Sequence, residues 1–246
     1  MRFKVTVAYN GAHYYGWQTQ HRGDSIEEAI EAVLTGMHAK EIEIVASGRT
    51  DAKVHALGQV FHFDSDLDIT SEAMKVALNS QLPKDIRIQK VECVSDEFHA
   101  RFDAISKRYD YYVTCDVDNP FIEDFMMRSA KELDLLAMQK SAAIFLGKHD
   151  FTSFTSAKID DRKNRIREIT RFEILKEERQ YHFILEGDGF LRYMVRMIVQ
   201  TIIEVGKHKE TFEEVKAMLE GKDKHLCKYK ACAQGLYLVE VKYKEE

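Results

Sequence analysis

Gly48-Arg49-Thr50-Asp51-Ala52-Lys53-Val54-His55-Ala56 lies between two apolar runs, Ile42-Glu43-Ile44-Val45-Ala46 and Gln59-Val60-Phe61-His62-Phe63, which read as strands. A plain hairpin needs two to five turn residues. This loop is longer, and it carries an arginine, a threonine, an aspartate and a histidine. The residues alone leave two readings open. One is a hairpin tip in which Arg49 and Asp51 form a solvated ion pair. The other is a polar loop held between strands as a site.

Outward from this loop, the pattern fixes a fold class. Phe3, Val5, Val7 and Tyr9 alternate with Lys4 and Thr6, as in a half-buried strand. Asn10 to Asp24 is a long loop rich in Gly, Tyr, His and Gln that contains Trp17. Its aromatics either tuck beneath it or form a finger with His21 and Arg22 near the tip. Ser25 and Glu28 make a capping box, and Ile26, Ala29, Ile30, Val33, Leu34 and Met37 follow at helical spacing. A second helix is predicted from about Ser71 to Gln81, and a strand over Ile86 to Val94. The order strand, helix, strand, strand, helix, strand suits an α+β sandwich with helices on one face of a sheet.

Beyond Ile105 comes a tyrosine-rich strand with Tyr109, Tyr111 and Tyr112. A helix is expected near Asp134 to Leu146, and strands near Arg165 to Leu175 and Tyr181 to Glu186. A strongly apolar helix is predicted over Phe190 to Val205. A capped helix over Thr211 to Leu219 and a closing strand, Leu236 to Tyr243, complete the chain. We therefore expect two intimately packed α/β-sandwich halves, 1–104 and 105–246, with mostly antiparallel sheet and a cleft between them.

Composition narrows the function classes. Of 246 residues, 45% are hydrophobic and 31% charged, as in ordinary soluble globular proteins. The net charge of −5 means that a polyanion would be held by a local basic surface. Cys93, Cys115, Cys227 and Cys232 form no Cys-x-x-Cys pair, which argues against a zinc site or a disulfide framework. Met1-Arg2-Phe3-Lys4 runs straight into a strand pattern, so no signal peptide is expected. The longest apolar segment, Tyr193 to Val205, is interrupted by Arg196, Gln200, Thr201 and Glu204 and is too short and polar to span a membrane, so the cytoplasm is the expected location. His55 and His62 lack the spacing of metal ligands, and His62, between Phe61 and Phe63, is expected to face solvent. Lys158, Arg162, Lys163, Arg165, Arg167 and Arg171 form the densest basic tract, with Lys163, Arg165 and Arg167 on one face if the segment is a strand. That tract is either a solvated edge or a phosphate-tracking surface, which Arg101, Lys107 and Arg108 could extend. Arg196 sits within an apolar helix. It must either find an anion or snorkel to the surface with Arg192.

The nonapeptide resembles the GRTDxGVHA signature of the TruA-type tRNA pseudouridine synthases. Tyr9-Asn10-Gly11, Tyr14-Tyr15-Gly16-Trp17-Gln18, Phe98-His99-Ala100-Arg101-Phe102, Lys107-Arg108-Tyr109, Asp150-Phe151-Thr152-Ser153-Phe154, Met194-Val195-Arg196 and Gly235-Leu236-Tyr237-Leu238 also resemble that family, in its order and over nearly the whole chain. The resemblance implies an isomerase that turns uridine into pseudouridine in the anticodon arm of tRNA, at positions 38, 39 and 40, and works as a homodimer. It implies Asp51 as the essential carboxylate, with Arg196 against it. Tyr109, Leu236 and Arg49 would contact the substrate. Arg22, Arg101, Lys107, Arg165 and Arg167 are expected to touch RNA. The reaction requires no cofactor, metal or energy source. Asp51 could attack C1′ or C6, or could remove the C2′ proton. Lys53 replaces the signature glycine, Asn10 replaces an aspartate, and Gln200 stands where a glycine is common. A catalytically weak paralogue that binds or folds tRNA is the alternative these departures keep open.

Overall fold

The computed structural model describes residues 1–19, 24–116, 118–156 and 164–244. Among them the chain runs β1 (Arg2–Tyr9), α1 (Ile26–His38), β2 (Val45–Ala46), β3 (His55–Asp64), α2 (Ser71–Gln81), β4 (Ile86–Val94), β5 (Ala104–Thr114), β6 (Met127–Arg128), α3 (Leu135–Ala142), β7 (Gly147–Asp150), β8 (Ile166–Glu177), β9 (Gln180–Gly187), α4 (Met194–Gly206), α5 (Phe212–Glu220) and β10 (Leu236–Tyr243). This is a mixed α/β fold with mostly antiparallel strand pairing. It divides into two compact units. The first holds Met1–Ile105 and Tyr237–Glu246, the second Ser106–Leu236. The sequence reading cut the chain once, after residue 104. The last strand joins the first unit because Tyr237 and Leu238 pair in parallel with His55 and Ala56 of β3.

In the first unit the strand order is β4-β1-β3-β10, with β2 beside β3. β1 pairs antiparallel with β3 and with β4. Phe3, Val5, Val7 and Tyr9 are buried and alternate with half-buried residues, as period-two patterning requires. Phe3 faces Phe63 and Val5 faces Phe61 across the β1–β3 pair. α1 starts where Ser25 accepts a hydrogen bond from the Glu28 N–H at 3.1 Å. It buries Ile26, Ile30 and Leu34, and His38 near its end meets the Phe63 ring edge-on. α2 is tied to β4 by one side chain. Asn79 Nδ2 donates to the Ile88 carbonyl and its Oδ1 accepts from the Ile88 N–H, each at 2.9 Å.

The opposite face of β3 is also covered, which corrects the reading of His62. That ring is 5% exposed, and its Nδ1 accepts from the Ala100 N–H at 3.1 Å. Phe98 and His99 pack against it, and Tyr243 donates to the Ala100 carbonyl. Burial, helped by the nearby Arg2 charge, lowers the His62 pKa to about 4. Strand alternation places His62 opposite Phe61 and Phe63 but does not tell whether that second face is wet. Here the 98–102 segment folds over it.

In the second unit the order is β5-β9-β8-β7, antiparallel throughout, and β6 adds to β5 in parallel. α4 buries every residue except Gln200, which explains its nearly continuous apolar sequence. Two residues of α3 and its lead-in fix its place: Asp134 N–H donates to the Gly206 carbonyl at 2.9 Å, and Gln139 donates to Ile174 of β8 at 2.8 Å. α5 begins with the predicted capping box, in which Thr211 and Glu214 bond each other's backbone reciprocally.

Candidate functional site

Asp51 stands on a turn rather than in a loose loop. The Val54 N–H donates to the Asp51 carbonyl at 3.1 Å, closing a four-residue turn whose third residue, Lys53, has φ +66°. A turn with positive φ at that position ordinarily takes glycine. Lys53 therefore occupies the conformation for which the signature glycine is suited, at a cost of roughly 1–2 kcal/mol. His55 and Ala56 already belong to β3, so the loop is shorter than the apolar runs suggested.

The turn is braced by the segment that follows β1. The Trp17 N–H donates to the Thr50 carbonyl and the Lys53 N–H donates to the Tyr14 carbonyl, each at 3.1 Å. The Gly11 N–H donates to His55 Nδ1 at 3.1 Å, and the Tyr9 hydroxyl bonds Thr50 Oγ1 at 2.8 Å. Two glycines permit this approach. A Cβ on Gly11 would lie 2.0 Å from the Val54 carbonyl oxygen. One on Gly16, which has φ +99°, would lie 2.7 Å from the Thr50 carbonyl oxygen. Asn10 Oδ1 accepts from the Ala12 N–H at 3.1 Å, a bond that an amide forms as well as the expected aspartate would. Trp17 is buried between Tyr9 and Phe61 and its indole N–H donates to Glu27. The described part of this segment is thus a brace for Asp51. Arg22, proposed at its tip, lies outside the described residues.

Around that turn, Asp51 is half-buried and Arg49 is exposed. Among the described residues Arg49 forms no ion pair, so the Arg49–Asp51 hairpin-tip reading fails. His55 is buried, with Nδ1 accepting from Gly11 and its ring stacked on Tyr237 at 4.7 Å. Among the described residues no group of His, Cys, Asp and Glu is arranged to hold a metal ion.

In the second unit, Arg196 does not snorkel. It is 9% exposed, and its Nε donates to the Ala231 carbonyl at 2.8 Å, while the Ala231 N–H donates back to the Arg196 carbonyl at 3.0 Å. Arg192 is not a helix neighbour four residues away. The residue between it and α4, Tyr193, has φ +68° and starts the helix later than its apolarity predicts. The Arg192 carbonyl accepts from the Ser156 N–H at 3.1 Å and from Thr155 Oγ1 at 3.3 Å. The Asp150–Phe154 motif leads into those two residues and is self-braced, with Asp150 accepting from Thr152 N–H and hydroxyl.

Tyr109 is half-buried on β5, edge-on to Phe190 at 5.2 Å, whereas Tyr111 is a core residue whose hydroxyl donates to the Cys232 carbonyl. Leu236 is buried at the end of this unit. Lys107 is half-buried opposite Gly187. Arg108 is engaged in a two-point ion pair with the buried Asp110, which also accepts from His182. Arg165 precedes β8 and Arg167 lies on it, its guanidinium turned back to the carbonyls of Asn164 and Ile166. Lys158, Arg162 and Lys163 fall outside the described residues, so the shared basic face is not seen. In the first unit Arg101 is exposed and lies over Phe102, which is 74% exposed.

The fold is that of a mixed α/β protein of two compact units, with Asp51 on a braced turn in the first and Arg196 buried in the second. The family model described as tRNA pseudouridine synthase matches residues 5–103 and 141–244, and the chain belongs to that family, which is one of isomerases. Curated relatives run the length of the chain. A tRNA pseudouridine synthase A of an Exiguobacterium species is 42% identical over 99% of this chain and 98% of its own. That of Bacillus pumilus is 41% identical over 99% of each. A protein of Protochlamydia amoebophila named tRNA pseudouridine synthase A 1 is 40% identical over 99% of this chain and 97% of its own. Among the described residues no helix is long and apolar enough to cross a membrane.

Proposed function

We propose that this chain converts uridine to pseudouridine in the anticodon arm of tRNA, at positions 38, 39 and 40, with Asp51 as the essential carboxylate. The reaction breaks N1–C1′, turns the detached uracil and joins C5 to C1′; the C5 proton leaves and N1 gains one. Atoms balance without a cofactor. The observation that carries the reading is the turn itself. Four hydrogen bonds, from Tyr9, Gly11, Tyr14 and Trp17, hold the residues on either side of a half-buried carboxylate. A nucleophile or base fixed in this way loses little orientation entropy on reaction.

Arg196 serves as a substrate-side cation and Tyr109 and Leu236 as the walls for a flipped base, whose unstacking costs a few kcal/mol. Arg49, exposed beside Asp51, takes the vacated stack or a phosphate. Arg22, Arg101, Lys107, Arg165 and Arg167 contact the RNA backbone. The protein acts in the cytoplasm as a homodimer. Lys53 in the left-handed region favours a second reading, a tRNA-binding paralogue with weak catalysis. The intact brace around Asp51 weighs for the enzyme.

Mapping pseudouridine in tRNA from cells lacking the gene, with and without the natural protein restored, tests the reading. Restored modification confined to positions 38, 39 and 40 is expected. Modification elsewhere, or none with tRNA still bound, overturns the site assignment or the catalytic reading respectively.

A further inference from the structure

One aromatic ring in the second unit is ringed by cations. The Tyr193 centroid lies 4.7 Å from the Arg192 guanidinium carbon, 4.5 Å from Lys230 Nζ and 5.6 Å from the Arg196 guanidinium carbon. Arg192 and Lys230 are thus the two cations nearest the ring centre, each within 5 Å of it. Arg192 and Lys230 are exposed, and among the described residues neither has a carboxylate partner. Arg192 spends one N–H on the Tyr193 hydroxyl at 2.8 Å.

This arrangement is constructed rather than incidental. Ser156 and Thr155 hold the Arg192 carbonyl. Tyr193 keeps a left-handed backbone that a bulky residue adopts only where its surroundings impose it. Lys230 is set beside the ring because Ala231, the next residue, exchanges two hydrogen bonds with Arg196. Three elements of the unit thus converge to place like charges around one face-sharing ring.

We propose that Arg192 and Lys230, spaced by Tyr193, hold a phosphodiester of the RNA substrate's backbone. This rests on the RNA-modifying reading above and adds to it a contact outside the basic tract at Arg165 and Arg167. The chemistry fits that partner. A guanidinium and an ammonium gathered at one ring both donate to phosphate oxygens, the first as a planar fork and the second as a point charge. Arg192 and Lys230 are both exposed, as contact with a polymer backbone requires, and an anion there offsets their two charges.

The test is tRNA affinity as a function of potassium chloride, with the full-length natural protein, Arg192→Gln, Lys230→Gln, the double variant, charge-preserving Arg192→Lys, and Lys148→Gln as an exposed control on β7. Each neutralising change at the corner should flatten the slope of log affinity against log salt by about 0.7–0.9, and the double variant by about twice that. Arg192→Lys should keep the natural slope, and Lys148→Gln should leave both slope and turnover unchanged. A double variant with the natural slope, while the natural protein binds and modifies tRNA, removes the phosphate site alone. A natural protein that neither binds tRNA nor modifies it removes the functional reading and the site with it.

Discussion

The turn at Asp51 and the start of α4 are fixed by opposite means. Asp51 is held by neutral, short-range bonds: Trp17 to Thr50, Lys53 to Tyr14, Gly11 to His55 and Tyr9 to Thr50. The start of α4 is held by charged ones, with Arg196 on Ala231 and three cations about Tyr193. The two backbone pairs, Trp17 to Thr50 and Lys53 to Tyr14, are indifferent to salt and to pH near neutrality, whereas a cationic cluster is screened by ions and seeks an anion. On the proposed reading, the reacting carboxylate stands on the neutral side and phosphate binding on the cationic one.

The largest way to break this contrast is to push the brace away from the turn. Gly11→Ala places a carbon where the Val54 carbonyl already is, at 2.0 Å. We expect a loss of about 3 kcal/mol or more in urea unfolding, since backbone cannot give way as a side-chain tip can. Arg196→Met acts on the other region. It removes a charge-assisted hydrogen bond to Ala231, worth about 2 kcal/mol of stability. It should also lower kcat/KM by about 100-fold, as loss of a substrate-side donor does, measured by tritium release over a range of tRNA concentrations.

A third change separates the regions by pH. Folded His62 has a pKa of about 4 against an ordinary 6.5. As pH falls, the unfolded chain therefore takes up this proton first, and stability is lost between pH 6.5 and about 4. Unfolding free energy measured across that window should fall less steeply in His62→Gln, whose amide oxygen can still accept from Ala100. The smallest expected effect is a gain. Lys53→Gly relieves a left-handed lysine and gives back part of that benefit as unfolded-chain entropy, for a net stabilisation of about 0.5–1 kcal/mol. Thermal unfolding of the two proteins side by side checks it.

Much of this was legible from the residues. α2 and β10 fall on their expected bounds, and the caps at Ser25 and Thr211 are where the sequence put them. These features are local, governed by spacing and by the first turn of a helix. What the sequence could not yield depends on distant partners. Nothing in Phe190-Leu191-Arg192-Tyr193 signals a left-handed tyrosine, and apolarity alone predicts a helix start at Phe190 where the structure has Met194. Alternation left the second face of β3 undetermined, and His62 turned out buried beneath 98–102. β7, with polar Lys148, His149 and Asp150, carries no apolar signal to find. Asp51, Arg196 and Tyr109 stand out in the sequence by their motifs, but the brace around the Asp51 turn does not. Gly11 and Gly16 are its trace in the sequence, two glycines where the loop passes close to the Asp51 turn.

Tritium at C5 of uridine gives the most direct test of the central claim, because joining C5 to C1′ must expel that hydrogen. A tRNA transcript labelled there would be incubated with the natural protein and with Asp51→Ala, both shown to be folded and to bind the transcript. The account predicts release by the natural protein and release lowered by at least about 1,000-fold in the variant, the scale of losing an essential catalytic group. Release by Asp51→Ala at a rate near the natural one would contradict it, because the carboxylate that the whole brace serves to hold would then be dispensable.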